Sequence, residues 1–587
     1  MQGKIVVRDV SHNQWLRFEA PREIVTAREI AQVIPALERI EAWNAQGGYA
    51  AGFIAYEAAP AFDNALVAHT LQDFPLVWFG LYDAPEIVQS PISTLQSSDA
   101  HKALNYKWTP NVSRDTYNAA IARVREHIAR GDTYQVNYTM RLRTKIGDAD
   151  FDGGAWVLFL QLVRAQPNSY AAFLDTGRFV IASASPELFL LRDANTLTMK
   201  PMKGTAPRGR FTREDRARAN WLYHSEKNRA ENVMILDMAR NDLGKIAEVG
   251  SVTPTRLWET ERYPTVWQMT STVQAASDAS FVEILRATFP CASITGAPKA
   301  RTMQIIHELE PEPRRVYTGA IGFLAPNRRM QFNVGIRTAF IDREKKFAEY
   351  GVGGGIVWDS EAGDEYEETR HKARILTETP REFSLIETLK WTPQENFWLL
   401  DYHLRRLRDS ADYFDFVFDE TRVLEELERG ASHLPRAPHK ARLLLARDGA
   451  LAFSAARLDT QPEPVRVVLA QTPVNARDKF LFHKTTQRAV YDAALAERGD
   501  ADEVLLWNER GEITEMGSAN IVVQFGEEFF TPPVECGLLG GTYRAFLLEQ
   551  GKIQERVIPW DELRDARALF RINSVRGWQT ARLEIGD

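Results

Sequence analysis

The sequence predicts an α+β protein in two parts, and three observations predict it. At 587 residues the chain exceeds the roughly 100–200 residues that one domain usually holds. Short β-like runs and amphipathic helical stretches are interleaved, without the strict βαβ alternation of a doubly wound sheet. A proline interrupts the polar stretch TETPREFS and a fresh α+β pattern follows, which divides the chain into 1–380 and 381–587.

The elements follow in order. GKIVVRD and PLVWFGLYD read as strands, with an amphipathic helix around Ala27–Ala45 between them. Residues 114–130 carry apolar side chains at helical spacing and end at Gly131. YQVNYTMRLRT, SYAAFLD and RFVIASAS are strand-like, and one helix is expected from about Asp215 to Arg240. GAIGFLA, MQFNVGIRTAFID and KFAEYGVGGGIV read as three further strands, and a helix from about Glu365 to Thr377 closes the first part. SLIETLKW opens the second. GVGGGI lacks a following helix start, so a dinucleotide-binding reading is rejected.

Composition narrows the function. A net charge of −7 leaves no electrostatic footprint for nucleic acid or an anionic membrane. Apolar runs such as AWVLFLQLV fall well short of the ~20 residues needed to span a bilayer. The N-terminal stretch has no apolar signal region, and Cys291 and Cys536 form neither a CxxC pair nor a zinc spacing. Two reduced thiols in a cytoplasmic protein are expected.

Several residues then stand out. Lys203, in the loop PMKGTAPRG, is either a solvated surface charge or an amine nucleophile freed by desolvation. Glu365, Glu368 and Lys372 share one face of a helix. Glu368 and Lys372 make an ordinary i,i+4 pair, but with Glu231 from RAENVMILDMARND the carboxylates also suit Mg²⁺. Neither helix alone decides between these readings. The glycines of GVGGGI let backbone N–H groups approach an anion, and Arg337 offers a fork for a carboxylate. A small dianionic substrate with a magnesium ion fits the set.

Residues from about 50 to 376 resemble the chorismate-utilising enzymes, which include anthranilate synthase component I, aminodeoxychorismate synthase component I, and the isochorismate and salicylate synthases. The matching blocks are YAAGFIAYEAAPAFD, GDTYQVNYT, SASPELFL, PMKGTAPRG, RAENVMILDMARNDLGK, SITGAPKARTMQIIHELEP, FNVGIRTAF and GVGGGIVWDS with YEETRHKA. The resemblance implies that fold and a set of roles. Anthranilate synthases carry alanine at the position of Lys203, whereas aminodeoxychorismate synthases carry the PxKGT form, whose lysine attacks ring carbon 2 of chorismate before ammonia displaces it. Glu187 matches the general acid or base, and Asn137 and Thr295 match residues beside the substrate. Glu231 and Glu368 match the magnesium ligands, with Glu365 behind them. Arg337, Gly354, Gly355 and Lys372 match groups that hold the two carboxylates. Water-adding relatives have a lysine where this chain has Gln135, which argues for ammonia. The chain departs from the pattern at Asn228, where an acid is frequent, and at Gln268, where anthranilate synthases place a histidine. Neither position receives a role. Neither cysteine sits in a GxCxG-like elbow, so ammonia is expected from a separate glutamine amidotransferase.

In the second part, Lys484 precedes a helix, where a lysine is usually solvated. Glu515 lies in ITEMGSAN, GLLGGTYR is a glycine-rich turn entering a helix, and Arg406 lies in HLRRL. A lysine, an acid and an anion cradle are what pyridoxal phosphate requires. HxxRL, the HK lysine, TExxxxN and GLLxGxxR resemble, in this order, the fold-type IV pyridoxal-phosphate enzymes. That family contains aminotransferases and aminodeoxychorismate lyase. The resemblance implies that Lys484 binds the cofactor covalently, that Glu515 faces its ring nitrogen, and that Arg406, Gly541 and Thr542 hold its phosphate, with Asn573 and Ser574 in a further anion-binding turn. It also implies a homodimer through this half. Motifs do not separate lyase from aminotransferase. The fusion does, because the first product is the lyase's substrate. The expected activity is conversion of chorismate to 4-aminobenzoate. The alternatives are a synthase fused to an amino-acid aminotransferase, or to a binding module that has lost catalysis.

Overall fold

A computed structural model describes residues 3–89, 106–147, 153–377, 382–461 and 463–584. The chain divides into two units, Met1–Pro207 with Ala219–Pro380, and Arg208–Arg218 with Arg381–Asp587. Residues 378–381, the centre of the polar stretch that suggested a division at 380, lie outside the described residues. Both units mix helices and strands.

The first unit rests on two ten-stranded sheets. Gln135–Lys145 and Phe347–Ile356 pair antiparallel near one end of the first sheet, with Gly355 opposite Asn137. Met202–Pro207 lies at one end of the second sheet, beside Val266–Ala276. Ile5, Phe18 and Leu174 from one sheet meet Phe53, Phe79 and Phe332 from the other in a single apolar cluster. The other face of the first sheet is covered by helices. Arg114–Ala129 shows why: Ser113 caps its start by accepting from Thr116 N at 3.1 Å. Tyr117, Ile121 and Val124, one turn apart on one side, are buried. Each contributes roughly 1.5–3 kcal/mol by leaving water. AWVLFLQLV is part of the covering helix Gly154–Ala165.

Three expectations need correction. The helix from Asp215 to Arg240 is two helices, Thr212–His224 and Glu226–Gly244, because Ser225 caps the second by accepting from Asn228 N. MQFNVGIRTAFID is not one strand. Arg329–Val334 and Thr338–Asp342 belong to different sheets, and the chain breaks at Arg337, whose φ is 51°. The closing helix is Ala362–Ala373, one turn earlier than expected, followed by a short 3₁₀ turn, Arg374–Leu376.

The second unit holds a four-stranded and an eight-stranded sheet. In His439–Leu445 of the smaller sheet, Ala441, Leu443 and Leu445 are buried while Lys440 and Arg442 are exposed, as the two-residue pleat requires. Leu443 and Leu445 join the core with the helices Leu400–Phe414 and Glu420–Ala431. Among the described residues, no helix is long and apolar enough to cross a membrane.

Candidate active sites

In the first unit, Lys203 extends from Met202–Pro207 to place its amine 3.4 Å from Glu231 Oε2. On the opposite side stands the glycine run. A Cβ on Gly355 would lie 3.1 Å from the Lys203 amine and 2.9 Å from Gln135 Nε2, and one on Gly354 would lie 3.0 Å from Glu365 Oε2. Side chains there would fill the space between lysine and strand, so glycine keeps it open. Gln135 is buried, and its Oε1 has no hydrogen-bond partner, an arrangement that a buried polar atom keeps at a cost unless a ligand meets it.

Glu187 sits between the strands Phe179–Ser185 and Leu188–Asp193 and is only 4% exposed. Burial pushes its carboxyl up to about 7, against the Ser293 hydroxyl, which donates to Oε1 at 2.6 Å and favours the ionised form. A carboxyl balanced near neutrality can give or take a proton. Ser293 lies within SITGAPKA, but its link to Glu187 spans 106 positions and is invisible to local pattern.

Asn137 donates through Nδ2 to Ile294 O at 3.1 Å, and its backbone N–H donates to Thr295 O at 2.8 Å. Arg314 holds this corner from behind, donating to Ile294 O at 3.0 Å and Asn137 O at 2.7 Å while paired with Glu310 at 2.6 Å. The Thr295 hydroxyl is fully buried and donates to Cys291 O and Ala292 O. It is therefore satisfied within its own turn. Arg337 donates to Lys372 O at 2.6 Å. Lys372 donates to Gly353 O at 2.8 Å and pairs with Glu368 at 2.6 Å.

Glu368 and Lys372 thus make the ordinary helix pair, and that lysine holds the Glu368 carboxyl below its usual range. Glu365 goes the other way, raised by burial and by the nearby Glu368. Among the described residues, no three acids, histidines or cysteines form a ready-made metal cluster. The donor chemistry nevertheless fits a hard divalent ion: oxygen ligands only, from two helices, with two carboxylates now neutralised by lysines.

The second unit encloses a cavity of about 410 Å³ lined by Lys484, Glu515, Arg406, Gly541 and Thr542, with Asn573 and Ser574. Burial drives the Lys484 amine down to about 8, helped by Arg406. Among the described residues it has no carboxylate within ion-pairing distance. Burial raises Glu515 to about 7. It accepts from Tyr491 Oη at 2.8 Å, Leu539 N at 3.0 Å and Asn520 Nδ2 at 3.3 Å. A Cβ on Gly541 would fall 1.9 Å from Asn520 Oδ1, so a side chain at the turn into Thr542–Glu549 would displace Asn520. Arg406 grips Glu387 with two hydrogen bonds, 3.0 and 2.6 Å. Glu387 also meets His403 Nδ1 at 2.5 Å, and His403 Nε2 lies 3.3 Å from the Thr542 hydroxyl. Burial alone would raise Glu387, but Arg406 and His403 outweigh it and hold the carboxyl near 2. Glu387 was not foreseen, since nothing in SLIETLKW distinguishes it from a surface glutamate. These groups fit pyridoxal phosphate: a buried lysine whose amine is lowered toward neutrality, a buried acid, and an arginine beside a helix start.

Two family models match the chain. A family model described as chorismate binding enzyme matches residues 8–378, and one described as amino-transferase class IV matches residues 384–583. An aminodeoxychorismate synthase of Streptomyces griseus is 44% identical over 266 residues, which span 45% of this chain and 36% of that protein. Aminodeoxychorismate synthase component 1 of Escherichia coli (strain K12) is 37% identical over 355 residues, 56% of this chain and 76% of that one. Anthranilate synthase component I from Streptococcus pneumoniae TIGR4 shares the fold, with a TM-score of 0.52 at 24% identity over 64% of this chain and 92% of that chain. The chain belongs to the chorismate-binding enzymes and carries a class IV aminotransferase domain after them.

Proposed function

We propose that the protein makes 4-aminobenzoate from chorismate in two steps, amination in the first unit and elimination of pyruvate in the second. The observation that carries the reading is the Lys203 amine, standing 3.4 Å from Glu231 and facing the open glycine strand. In the first step Lys203 Nζ forms a bond to ring carbon 2 while the 4-hydroxyl leaves as water with a proton from Glu187. Ammonia then bonds to carbon 4 as the bond between carbon 2 and the lysine nitrogen breaks; the proton that ammonia sheds returns to Glu187, and Lys203 leaves as the neutral amine that began the step. Arg337, Lys372 and the amides of Gly354 and Gly355 hold the substrate's carboxylates. Glu231 and Glu368, with Glu365 behind them, would hold Mg²⁺, which supplies positive charge against a carboxylate. Ammonia comes from a separate glutamine amidotransferase.

In the second unit Lys484 would hold pyridoxal phosphate, with Arg406, Gly541 and Thr542 at its phosphate and Glu515 at its ring nitrogen. The cofactor, when bound, supplies an electron sink. Lys484 Nζ removes the proton from ring carbon 4, the enolpyruvyl group leaves as pyruvate, and the ring becomes aromatic. The cavity wall suits the lyase's substrate. Lys440, Arg442 and Arg576 all line it, and among the described residues Lys440 and Arg442 have no carboxylate partner. Although the Lys440 side chain is exposed by surface area, partial desolvation of its amine at the cavity wall lowers it, and the charges of Arg576 and Arg442 lower it further. Three cations suit a substrate with two carboxylates. Buried, unpaired Cys291 and Cys536 accord with the cytoplasm, and the second unit is the part expected to form a homodimer.

The test is product analysis on the whole protein with chorismate, ammonium, Mg²⁺ and pyridoxal phosphate. Equal amounts of 4-aminobenzoate and pyruvate are expected. Amino-group transfer to a 2-oxo acid, with no pyruvate released, would overturn the second half of the proposal.

A further inference from the structure

Met202–Pro207 pairs with Val266–Ala276 out of step. Met202 faces Thr270 and Thr205 faces Gln268, so Lys203 and Gly204 together stand opposite Met269. Two residues against one is a β-bulge, where ladder bonds are lost and the strand bends. Gly204 takes φ +100°, and a Cβ there would come within 3.1 Å of Asn228 Oδ1 and 3.3 Å of Met269 Cβ. Carbonyls displaced from a ladder need other donors. Two side-chain amides supply them. Asn232 Nδ2 donates to Lys203 O at 3.1 Å and Met269 O at 3.3 Å, while its own Oδ1 accepts from Ser271 Oγ at 2.5 Å. Gln268 Nε2 donates to Gly204 O at 2.9 Å, and its Oε1 accepts from Thr205 Oγ1 at 3.0 Å.

We propose that Asn232 and Gln268 are positioning residues for the amination, clamping the bulge in the conformation that delivers the Lys203 amine to the substrate ring. The proposal rests on Lys203 being the nucleophile, as argued above. Without the clamp the strand is free to relax toward a regular ladder, which turns successive side chains to opposite faces and redirects Lys203. Displacing a nucleophile by about 1 Å costs on the order of 10²-fold in rate. Gln268 thus acquires a role through the backbone of the reactive loop, and Asn232 links that loop to the helix bearing Glu231.

The decisive variant is Gln268→Met in the full-length protein, which keeps length and bulk but removes both hydrogen bonds. For amination with ammonium and Mg²⁺, kcat should fall on the order of 10²-fold, while KM for chorismate stays within about twofold, since the carboxylate-binding groups are untouched. Hydrogen exchange at the amides of residues 203–206 should quicken. Pyruvate release from supplied aminodeoxychorismate should match the parent. Asn232→Ala should lose more, but Asn232 is 1% exposed and its removal also strains the fold, so Gln268→Met decides. Parental kcat, a loss confined to KM, or unchanged exchange would each overturn the clamp. If the parent itself fails to aminate chorismate, the functional reading falls, and exchange alone then decides: faster exchange upholds the clamp and unchanged exchange overturns it.

Discussion

The two lysines at the centre of this chain are prepared in opposite ways. Lys203 keeps a carboxylate 3.4 Å from its amine and is placed by a bulged strand. Lys484 has no carboxylate at ion-pairing distance among the described residues and is driven down to about 8 by burial and Arg406. On the proposed function, the first site works by placement among charges that a substrate and a metal can rearrange. The second works by environment, in a cavity whose acid, Glu515, is itself raised to about 7. Both amines must be neutral to act, but the proposed nucleophile must also be aimed at one ring carbon, which makes its geometry the more exacting.

The sharpest test of the contrast is a pair of substitutions. Lys484→Ala should lower pyruvate release on the order of 10³-fold or more and leave amination running, so that aminodeoxychorismate accumulates by chromatography. Lys203→Ala should do the reverse, losing amination while supplied aminodeoxychorismate still yields 4-aminobenzoate. Crossed results would dissolve the division of labour.

Chelation draws the same line by a different route. Removing divalent ions should stop chorismate consumption and spare pyruvate release from supplied aminodeoxychorismate. A second step that stopped with the first would show that the metal does not belong to the first site alone.

Acid should reach the second unit through Glu387, whose carboxyl is held near 2 against burial by Arg406 and His403. A depressed carboxylate stabilises the fold above its unfolded value of about 4.3, and that stabilisation is lost as pH falls through about 2. Glu387→Gln should therefore cost about 1–3 kcal/mol at neutral pH and flatten the acid limb of a denaturation curve. A curve unchanged in shape would remove Glu387 from the account.

The smallest effect belongs to Ser293. Its hydrogen bond favours the ionised form of Glu187, so Ser293→Ala should raise that carboxyl further. Amination that needs protonated Glu187 then persists to higher pH, and the alkaline limb of kcat moves upward. The rate at its optimum should change by under about tenfold. An alkaline limb that stayed in place while an acid limb moved upward would mean that Glu187 acts in its ionised form.

Much of this was legible in the sequence, and the remainder had physical reasons not to be. Lys203, Glu231, Glu368, Lys484 and Glu515 lie in motifs whose spacing is local. Lys203 and Glu231 meet in space, and Lys484 and Glu515 line one cavity. Ser225, by contrast, ends a helix that its neighbours would continue, because a hydroxyl cap competes with helix propagation. Arg337 breaks an apparently continuous strand at a positive φ, which arginine seldom adopts. Gln268 and Asn232 act on backbone carbonyls 64 and 29 positions away, and a side chain that serves another residue's backbone leaves no pattern of its own.

The bulge at Lys203 and Gly204 also bears on how this segment can vary. It is a phase shift in the pleat: residues before it pair in one register and residues after it in the next. Deleting one residue there would make the ladder regular while leaving Thr205 opposite Gln268 and Ala206 opposite Trp267, so the strand would keep its faces and lose the bend that aims Lys203. Ala206, buried with Leu222 and Met269, and exposed Thr205 would stay where they are, and the loss would fall on the lysine. A library built across this loop should tolerate changes of identity well before changes of length, so insertions and deletions, rather than substitutions, mark its limits.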